Sequence, residues 1–324
     1  MIVTLTLNPA LDLTYTVTES SVGGVDVHRA TTATLEASGK GVNVSRALHT
    51  NGIETVAVVP LGGSTGHHLA ELLVLDGVRH RIVAQQAVTR VNTTIAAGDG
   101  HTAKVNGPGG RMSDEDLVRL TEEVAAALGR LPSGEEAWLA VCGSLPPGLD
   151  PSVVGEFVAL AHAHGARCAV DASGPALTAA IEAGADLLAP NRLELAEVDP
   201  IAATAMSVDD LAAVTTEIAR ERGTSLLLSL GRDGAVFTDG GVVVRGHGPA
   251  LTPVNTAGAG DALLSGWLAH AGAPTDRMAR AIRWSRAACL AATTVAPPLP
   301  DSPDASDGVT VDRLPIGRTE RSTS

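Results

Sequence analysis

Residues 137–170 read AWLAVCGSLPPGLDPSVVGEFVALAHAHGARCAV, and the way this stretch divides decides the fold. Ala137–Cys142 is apolar throughout and too short for a helix, so it reads as a strand buried on both faces. Gly143-Ser144-Leu145-Pro146-Pro147-Gly148 is a rigid turn, Ser152–Ala163 has helical spacing, and Arg167–Val170 is a second buried strand. A strand, a helix and a strand in succession bring the two strands parallel, with the helix over one face of their sheet. The alternation runs outward in both directions. Strands are expected at Ile2–Leu7, Thr55–Val59, Ala185–Leu188 and Leu226–Leu230, with a hairpin over Ala235–Val244 turning at Asp239-Gly240-Gly241. Helices are expected at Gly41–Asn51, Gly66–Asp76, Asp114–Leu128 (capped by Ser113-x-x-Asp116), Val208–Arg222, Ala259–Ala271 and Arg277–Thr293. The fold class is α/β, a three-layer, doubly wound and mostly parallel sheet. Ligands of such folds sit at the carboxyl ends of the strands.

Two stretches break the rhythm. Residues 12–35 and 91–105 alternate polar and apolar with no helix between, around turns at Val22-Gly23-Gly24 and Gly98-Asp99-Gly100. They are expected to form a small antiparallel β lid inserted into one domain spanning residues 1–296. Residues 297–324 are poor in apolar side chains and are expected to be a disordered tail.

Composition excludes several classes. A net charge of −13, with 23 Lys and Arg and no basic tract, argues against nucleic acid as a partner. No segment has the length of a membrane span, and the N-terminus lacks the basic region of a signal peptide, so a cytoplasmic protein is expected. Cys142, Cys168 and Cys289 lack metal-binding spacing and read as buried thiols. His67, His68, His162 and His164 have no matching third ligand and read as surface residues.

The chemistry concentrates near Val254-Asn255-Thr256-Ala257-Gly258-Ala259-Gly260-Asp261. A glycine turn opening a helix aims unpaired N–H groups at one spot, which also feels the positive end of the helix dipole. Asp261 sets a carboxylate at the rim of that anion hole. The pairing suits an acid that removes a proton from an attacking hydroxyl while the amides steady the phosphoryl group under attack. An ordinary glycine loop before a buried helix is the competing reading of the string alone.

Other loops lie where a site is expected. Asn8-Pro9-Ala10-Leu11-Asp12 follows the first strand, and Ser38-Gly39-Lys40-Gly41-Val42-Asn43 opens a helix. Lys40 and Arg90, with Lys104, can converge on one anion while Asp12 and Asn43 bind hydroxyls, a set matching a phosphorylated sugar. Ser144 either touches substrate or belongs to its turn. Asn191 and Glu194 stand three apart on one helical face and read either as a cap or as oxygen ligands of hydrated Mg²⁺. Ser229-Leu230-Gly231 either wraps a nucleotide or turns into the hairpin.

Taken in order, Asn8-Pro9-Ala10-Leu11-Asp12, Gly39-Lys40-Gly41-Val42-Asn43-Val44, Thr89-Arg90, Gly143-Ser144-Leu145-Pro146, Pro190-Asn191-x-x-Glu194, Ser229-Leu230-Gly231 and Gly258-Ala259-Gly260-Asp261 resemble the ribokinase/phosphofructokinase-B sugar kinases across roughly residues 1–295. The detail is most similar to the 1-phosphofructokinase and tagatose-6-phosphate kinase branch. The resemblance implies ATP-dependent phosphorylation of a phosphorylated ketohexose, with fructose 1-phosphate the first expectation and tagatose 6-phosphate or fructose 6-phosphate the alternatives. It implies Asp261 as base, with the N–H groups of Ala259, Gly260 and Asp261 forming the anion hole and Gly258 in the same catalytic turn. Asp12, Gly39, Lys40, Asn43 and Ser144 are implied at the sugar, Arg90 and Lys104 at its phosphate, and Asn191 and Glu194 at hydrated Mg²⁺. Ser229, Gly231 and Asn255 are implied at ATP. Family members often dimerise through their lids, so a homodimer is expected there. Two positions depart from the family pattern: Ala189 stands where a lysine is usual before Pro190, and Ser38 where a glycine is usual. Ala189 keeps open a different class of function, a sugar-phosphate or nucleotide sensor with weakened catalysis.

Overall fold

The computed structural model describes residues 1–18, 27–98, 101–130, 136–199, 202, 207–299 and 308–315. In chain order its first half holds β1 (Ile2–Thr6), β2 (Ala10–Val17), β3 (Ala30–Ser38), α1 (Lys40–Thr50), β4 (Thr55–Leu61), α2 (Gly63–Leu75), β5 (His80–Ala84), β6 (Arg90–Ala97), β7 (Thr102–Asn106) and α3 (Asp114–Leu128). The second half holds β8 (Trp138–Cys142), α4 (Val153–Ala163), β9 (Arg167–Asp171), α5 (Gly174–Glu182), β10 (Leu187–Leu188), α6 (Arg192–Val198), α7 (Val208–Arg222), β11 (Ser225–Ser229), β12 (Ala235–Thr238), β13 (Val243–His247), α8 (Ala259–Leu268), α9 (Pro274–Leu290) and β14 (Thr310–Arg313).

Ten strands form one sheet in the order β14-β13-β12-β11-β10-β9-β8-β1-β4-β5. From β5 across to β11 every pair is parallel, and β11 to β14 are antiparallel. The parallel strands have apolar side chains on both faces, as their sequences require. On one face Val3, Leu5, Leu139 and Val141 pack with Phe157, Leu177, Leu211 and Ile218 from α4, α5 and α7. On the other, Ile2, Trp138 and Leu227 pack with Val44, Leu48, Leu264 and Trp267 from α1 and α8. Each large side chain fully removed from water there stabilises the fold by ~1.5–3 kcal/mol. Sequence order reverses at β1, which has β4 on one side and β8 on the other, so the crevice for a ligand opens at its carboxyl end.

The small sheet has the order β3-β2-β6-β7. Two antiparallel hairpins, β2–β3 and β6–β7, join through a parallel β2–β6 pair. It leaves the large domain at the ends of β1 and β5 and returns through Ser38–Gly39 into α1, so it stands over the carboxyl edge of the large sheet. Of the expected lid turns, Val22-Gly23-Gly24 and Asp99-Gly100 lie outside the described residues.

The expected disordered tail is corrected at its far end. Thr310–Arg313 pairs antiparallel with β13, Val244 opposite Arg313 and His247 opposite Thr310. An edge strand is held by backbone hydrogen bonds, and Val309 and Val311 are enough to seat it on the core, so low apolar content did not forbid it. Leu299 also packs against that core, and its N–H donates to Asn51 Oδ1 at 3.0 Å. Residues 300–307 and 316–324 lie outside the described residues.

Candidate active site

The crevice gathers the N-termini of α1, α6 and α8 around the ends of β1, β8 and β9. Two glycines make this possible. Gly39, with φ 116°, turns the chain from β3 into α1, and a Cβ there would lie 2.7 Å from Thr6 Cγ2. Gly258, with φ 76°, turns the chain into α8. A methyl there would collide with the Thr294 carbonyl oxygen and lie 2.8 Å from Thr294 Cγ2. Both positions combine a left-handed φ with a close neighbour, so only glycine fits.

The turn before α8 is built for open amides. Asn255 Oδ1 accepts from Ala257 N–H at 2.9 Å and folds the loop back, a shaping role beside the ATP contact expected of it. The first helical bond runs from Ala262 N–H to Gly258 C=O at 2.8 Å. Ala259 N–H makes a long bond to Thr256 C=O at 3.5 Å, and the amides of Gly260 and Asp261 come before that first helical bond, at the helix mouth. Over Gly260 there is room, because a Cβ built there would meet nothing within 4 Å.

Asp261 stands in the first turn of α8 and is only 7% exposed. It accepts from Asn43 Nδ2 at 2.8 Å, across 218 residues of chain. Burial, then the charge of Asp171, push its pKa up to about 7, against the opposing pull of the Asn43 hydrogen bond and Lys40. A carboxyl group tuned to neutrality can accept a proton from a hydroxyl and release it again at physiological pH.

Lys40 opens α1 and reaches across the crevice, where its Nζ donates to Asp171 Oδ1 at 2.7 Å and Glu194 Oε1 at 3.3 Å. Burial alone would lower its pKa, but the two acids outweigh burial and hold it above the ordinary lysine value. Asp171, at the end of β9, is itself raised by burial in spite of Lys40. Sequence reasoning missed Asp171, having ended that strand at Val170. The rule that strand ends carry ligands was the signal that could have found it.

Asn191 caps α6: its Oδ1 accepts from the N–H groups of Leu193 at 2.8 Å and Glu194 at 3.0 Å, and Glu194 Oε2 accepts from Asn191 N–H at 2.8 Å. This is a capping box, so the structural reading of that pair is realised. The same box points Glu194 Oε1 at Lys40 and sets Glu194 and Asp171 on one ammonium. These hard oxygen donors suit hydrated Mg²⁺, which retains several waters and needs few protein ligands. Among the described residues no cluster of three or more His, Cys, Asp or Glu side chains could hold a metal unaided.

On the lid side, Asp12 Oδ2 accepts from Ser38 Oγ at 2.7 Å and Asp12 Oδ1 from Asn92 Nδ2 at 2.8 Å. Burial raises the pKa of Asp12, opposed by these two hydrogen bonds. Ser38, one of the two departures from the family pattern, thus orients Asp12 together with Asn92. Arg90 is half-buried; its guanidinium donates to Gly107 C=O at 3.0 Å and Asn8 C=O at 2.9 Å, and burial lowers its pKa. Lys40 and Arg90 therefore have different partners in this structure. Lys104 is exposed on β7 opposite Thr94, on the sheet face that also carries Asp12 and Asn92. Ser144 is exposed at the end of β8, and its Oγ accepts from Asn8 Nδ2 at 3.3 Å. Asn8 also donates to Pro108 and Leu145 carbonyls, joining β1, the lid exit and the β8 turn, a role its place in a motif did not reveal. Ser229 ends β11 in a bridge with Asn191, and Gly231 (φ 60°) follows in open space.

An acid of near-neutral pKa in the first turn of α8, beside a small sheet that carries Asp12 and Asn92, defines a phosphotransferase with an alcohol group as acceptor. The comparisons agree with that class. The model of the pfkB family carbohydrate kinases matches residues 5–297. A 1-phosphofructokinase of Haloferax volcanii is 36% identical over 272 residues, 83% of either chain. The ATP-dependent 6-phosphofructokinase isozyme 2 of Escherichia coli is 32% identical over 81% of this chain and 83% of its own. The crystal structure of phosphofructokinase-2 from Escherichia coli in complex with substrates and products superposes with a TM-score of 0.82 at 29% identity, covering 91% of this chain and 95% of that one. The chain belongs to the pfkB family of carbohydrate kinases, and the ribokinase-like fold expected for it is the fold observed.

Proposed function

We propose that the protein transfers the γ-phosphoryl group of ATP to fructose 1-phosphate, giving fructose 1,6-bisphosphate. The observation that carries this reading is Asp261, buried, near-neutral in pKa and set among the amides that open α8. As the sugar hydroxyl oxygen bonds to the γ-phosphorus, its proton passes to Asp261 and the bond to the β-phosphate oxygen breaks, releasing ADP. Amides of Ala259 and Gly260 face the phosphoryl group, where a fixed dipole stabilises charge without reorganising. Asp12, Gly39 and Asn43 orient the sugar, with Ser144 at the rim, and Arg90 with Lys104 takes its existing phosphate. Ser229, Gly231 and Asn255 lie along the ATP side. Glu194 and Asn191 would hold hydrated Mg²⁺ on the ATP phosphates, where the ion supplies charge neutralisation. Lys40, poised between Asp171 and Glu194, keeps those acids from repelling the nucleotide.

The relative named as a 6-phosphofructokinase favours a second reading, in which fructose 6-phosphate or tagatose 6-phosphate is the acceptor. Steady-state ADP release across fructose 1-phosphate, fructose 6-phosphate, tagatose 6-phosphate and unphosphorylated fructose decides between them. The expected result is the highest kcat/KM with fructose 1-phosphate. Preference for unphosphorylated fructose overturns the phosphate roles of Arg90 and Lys104. Calorimetric binding of a sugar phosphate with no product over hours would instead make the protein a sensor.

A further inference from the structure

Glu36 lies in a lid strand, where an acid usually faces water, yet it is only 9% exposed. A carboxylate withdrawn from water must be matched by donors, and here they come from two distant places. Thr294 supplies its N–H at 3.2 Å and its Oγ at 3.2 Å, across 258 residues of sequence. Arg46 of α1 approaches the same carboxylate at 3.4 Å and also donates to the Ala37 carbonyl at 3.0 Å. One side chain thus pins the lid strand, the first helix and the segment after α9 together.

Both ends of this contact reach the active site. In the β2–β3 register Glu36 stands directly opposite Asp12, and Ser38, two residues on, donates to Asp12. Cross-strand partners share a face and move together. At the other end, Thr294 closes over Gly258, whose bare Cα leaves space for its carbonyl and methyl. Asn43, Gly258 and Thr294 line one water-sized cavity of about 10 Å³, and Asn43 is the donor to Asp261. Besides its continuation through Gly39 into α1, β3 has a packed route to the anion hole: Glu36, Thr294, Gly258.

Building on the kinase reading, we infer that Glu36 is a positioning residue that couples the sugar-facing lid strands to the phosphoryl-binding turn. When Asp12 engages sugar and the strands settle, Glu36 holds Thr294 against Gly258 and fixes the turn that presents the amides of Ala259 and Gly260. Glu36 touches neither substrate. Its effect falls on turnover, with little effect on nucleotide affinity.

Three variants and two readouts test this. Glu36→Ala should lower kcat ~10-fold or more while the KM for ATP changes by less than about 3-fold. In the absence of any ligand it should also speed amide hydrogen exchange in residues 258–262 and leave β8 and β9 unchanged. Glu36→Gln, which keeps an oxygen to accept from Thr294, should restore most of kcat. Glu54→Gln, removing an exposed ion pair with Arg79, is the control and should change neither readout. Should Glu36→Ala fail to give a cooperative melt, Thr294→Val, which removes the Oγ donor, carries the same expectation. The inference is overturned if the folded variant keeps kcat within about 2-fold of wild type, or loses it with exchange at 258–262 unaltered. If the wild type releases no ADP with any hexose phosphate, the kinase reading fails separately, and exchange still decides whether Glu36 governs the turn.

Discussion

Asp261 has one neutral donor, Asn43, at 2.8 Å and a second acid, Asp171, whose charge acts in the same direction as burial. A base must be unprotonated to work, so with a pKa pushed up to about 7 the kcat/KM for the sugar should fall about tenfold per unit on the acid side of neutrality. Asp171→Asn removes a charge that raises Asp261 and frees Lys40, which lowers it. The acid limb of that profile should therefore move down by ~0.5–1 pH unit, and an upward move would refute the assigned coupling. Stability follows from the same shift. Because the folded pKa lies above the ordinary aspartate value of 3.8, the folded chain holds a proton that the unfolded chain has released between about pH 4 and 7. Stability from this group is present below that window and lost as pH rises through it. Asp261→Asn removes the loss, so by calorimetry at pH 8 it should melt no lower than wild type while ADP release falls by ~10³-fold or more. Near-normal turnover in that variant would mean another group is the base.

The start of α8 sets two glycines in contrast. Gly258→Ala forces a side chain into a left-handed φ and against Thr294, and should cost ~2–3 kcal/mol in urea unfolding as well as activity. Gly260→Ala adds a methyl to open space in a helical turn, so it should leave unfolding within ~0.5 kcal/mol. Its damage should appear in kcat and the KM for ATP, because the proposed mechanism puts the phosphoryl group in that space. Equal loss of stability in both would remove the argument. Elements of this kind were legible in the sequence because they carry local signals. Asp114–Leu128 and Val208–Arg222 emerged with the expected bounds, each behind a serine that closes a capping box. Gly174–Glu182 was missed, a short, mostly apolar helix with Pro175 in its first turn and little polar contrast to mark its face. His80–Ala84 was missed because an edge strand of mixed character has no apolar run. The site divides similarly. Asp261, Lys40 and Asn43 were legible because glycine turns announce helix mouths. The partners of Lys40 were not, since Asp171 and Glu194 lie 131 and 154 residues away and only the sheet order brings them together.

At the scale of the whole molecule, the lid has two unlike faces. The face toward the large domain carries Asp12, Thr14, Glu36, Asn92, Thr94 and Lys104. Period-two alternation then places Leu13, Tyr15, Leu35, Ile95 and Val105 on the other face. Leu35 is 39% exposed and Val105 is 70% exposed in the single chain. A four-stranded sheet with one apolar face left open is poorly stable alone and invites a partner. A second copy suits it, since a two-fold axis sets the same apolar face against itself without creating an open-ended chain of contacts. The lid homodimer expected from the family resemblance is thus the proposal this face supports. Leu35→Glu with Val105→Glu places two charges in that contact, and sedimentation equilibrium should show the dimer become a monomer. Because the inner face of each lid borders Asp12 and Arg90, the monomer should also show a raised KM for the sugar, about 10-fold, with the KM for ATP little changed. If sedimentation is the same for wild type and the double variant, the lids do not join the subunits, and the exposed Leu35 and Val105 must have another use.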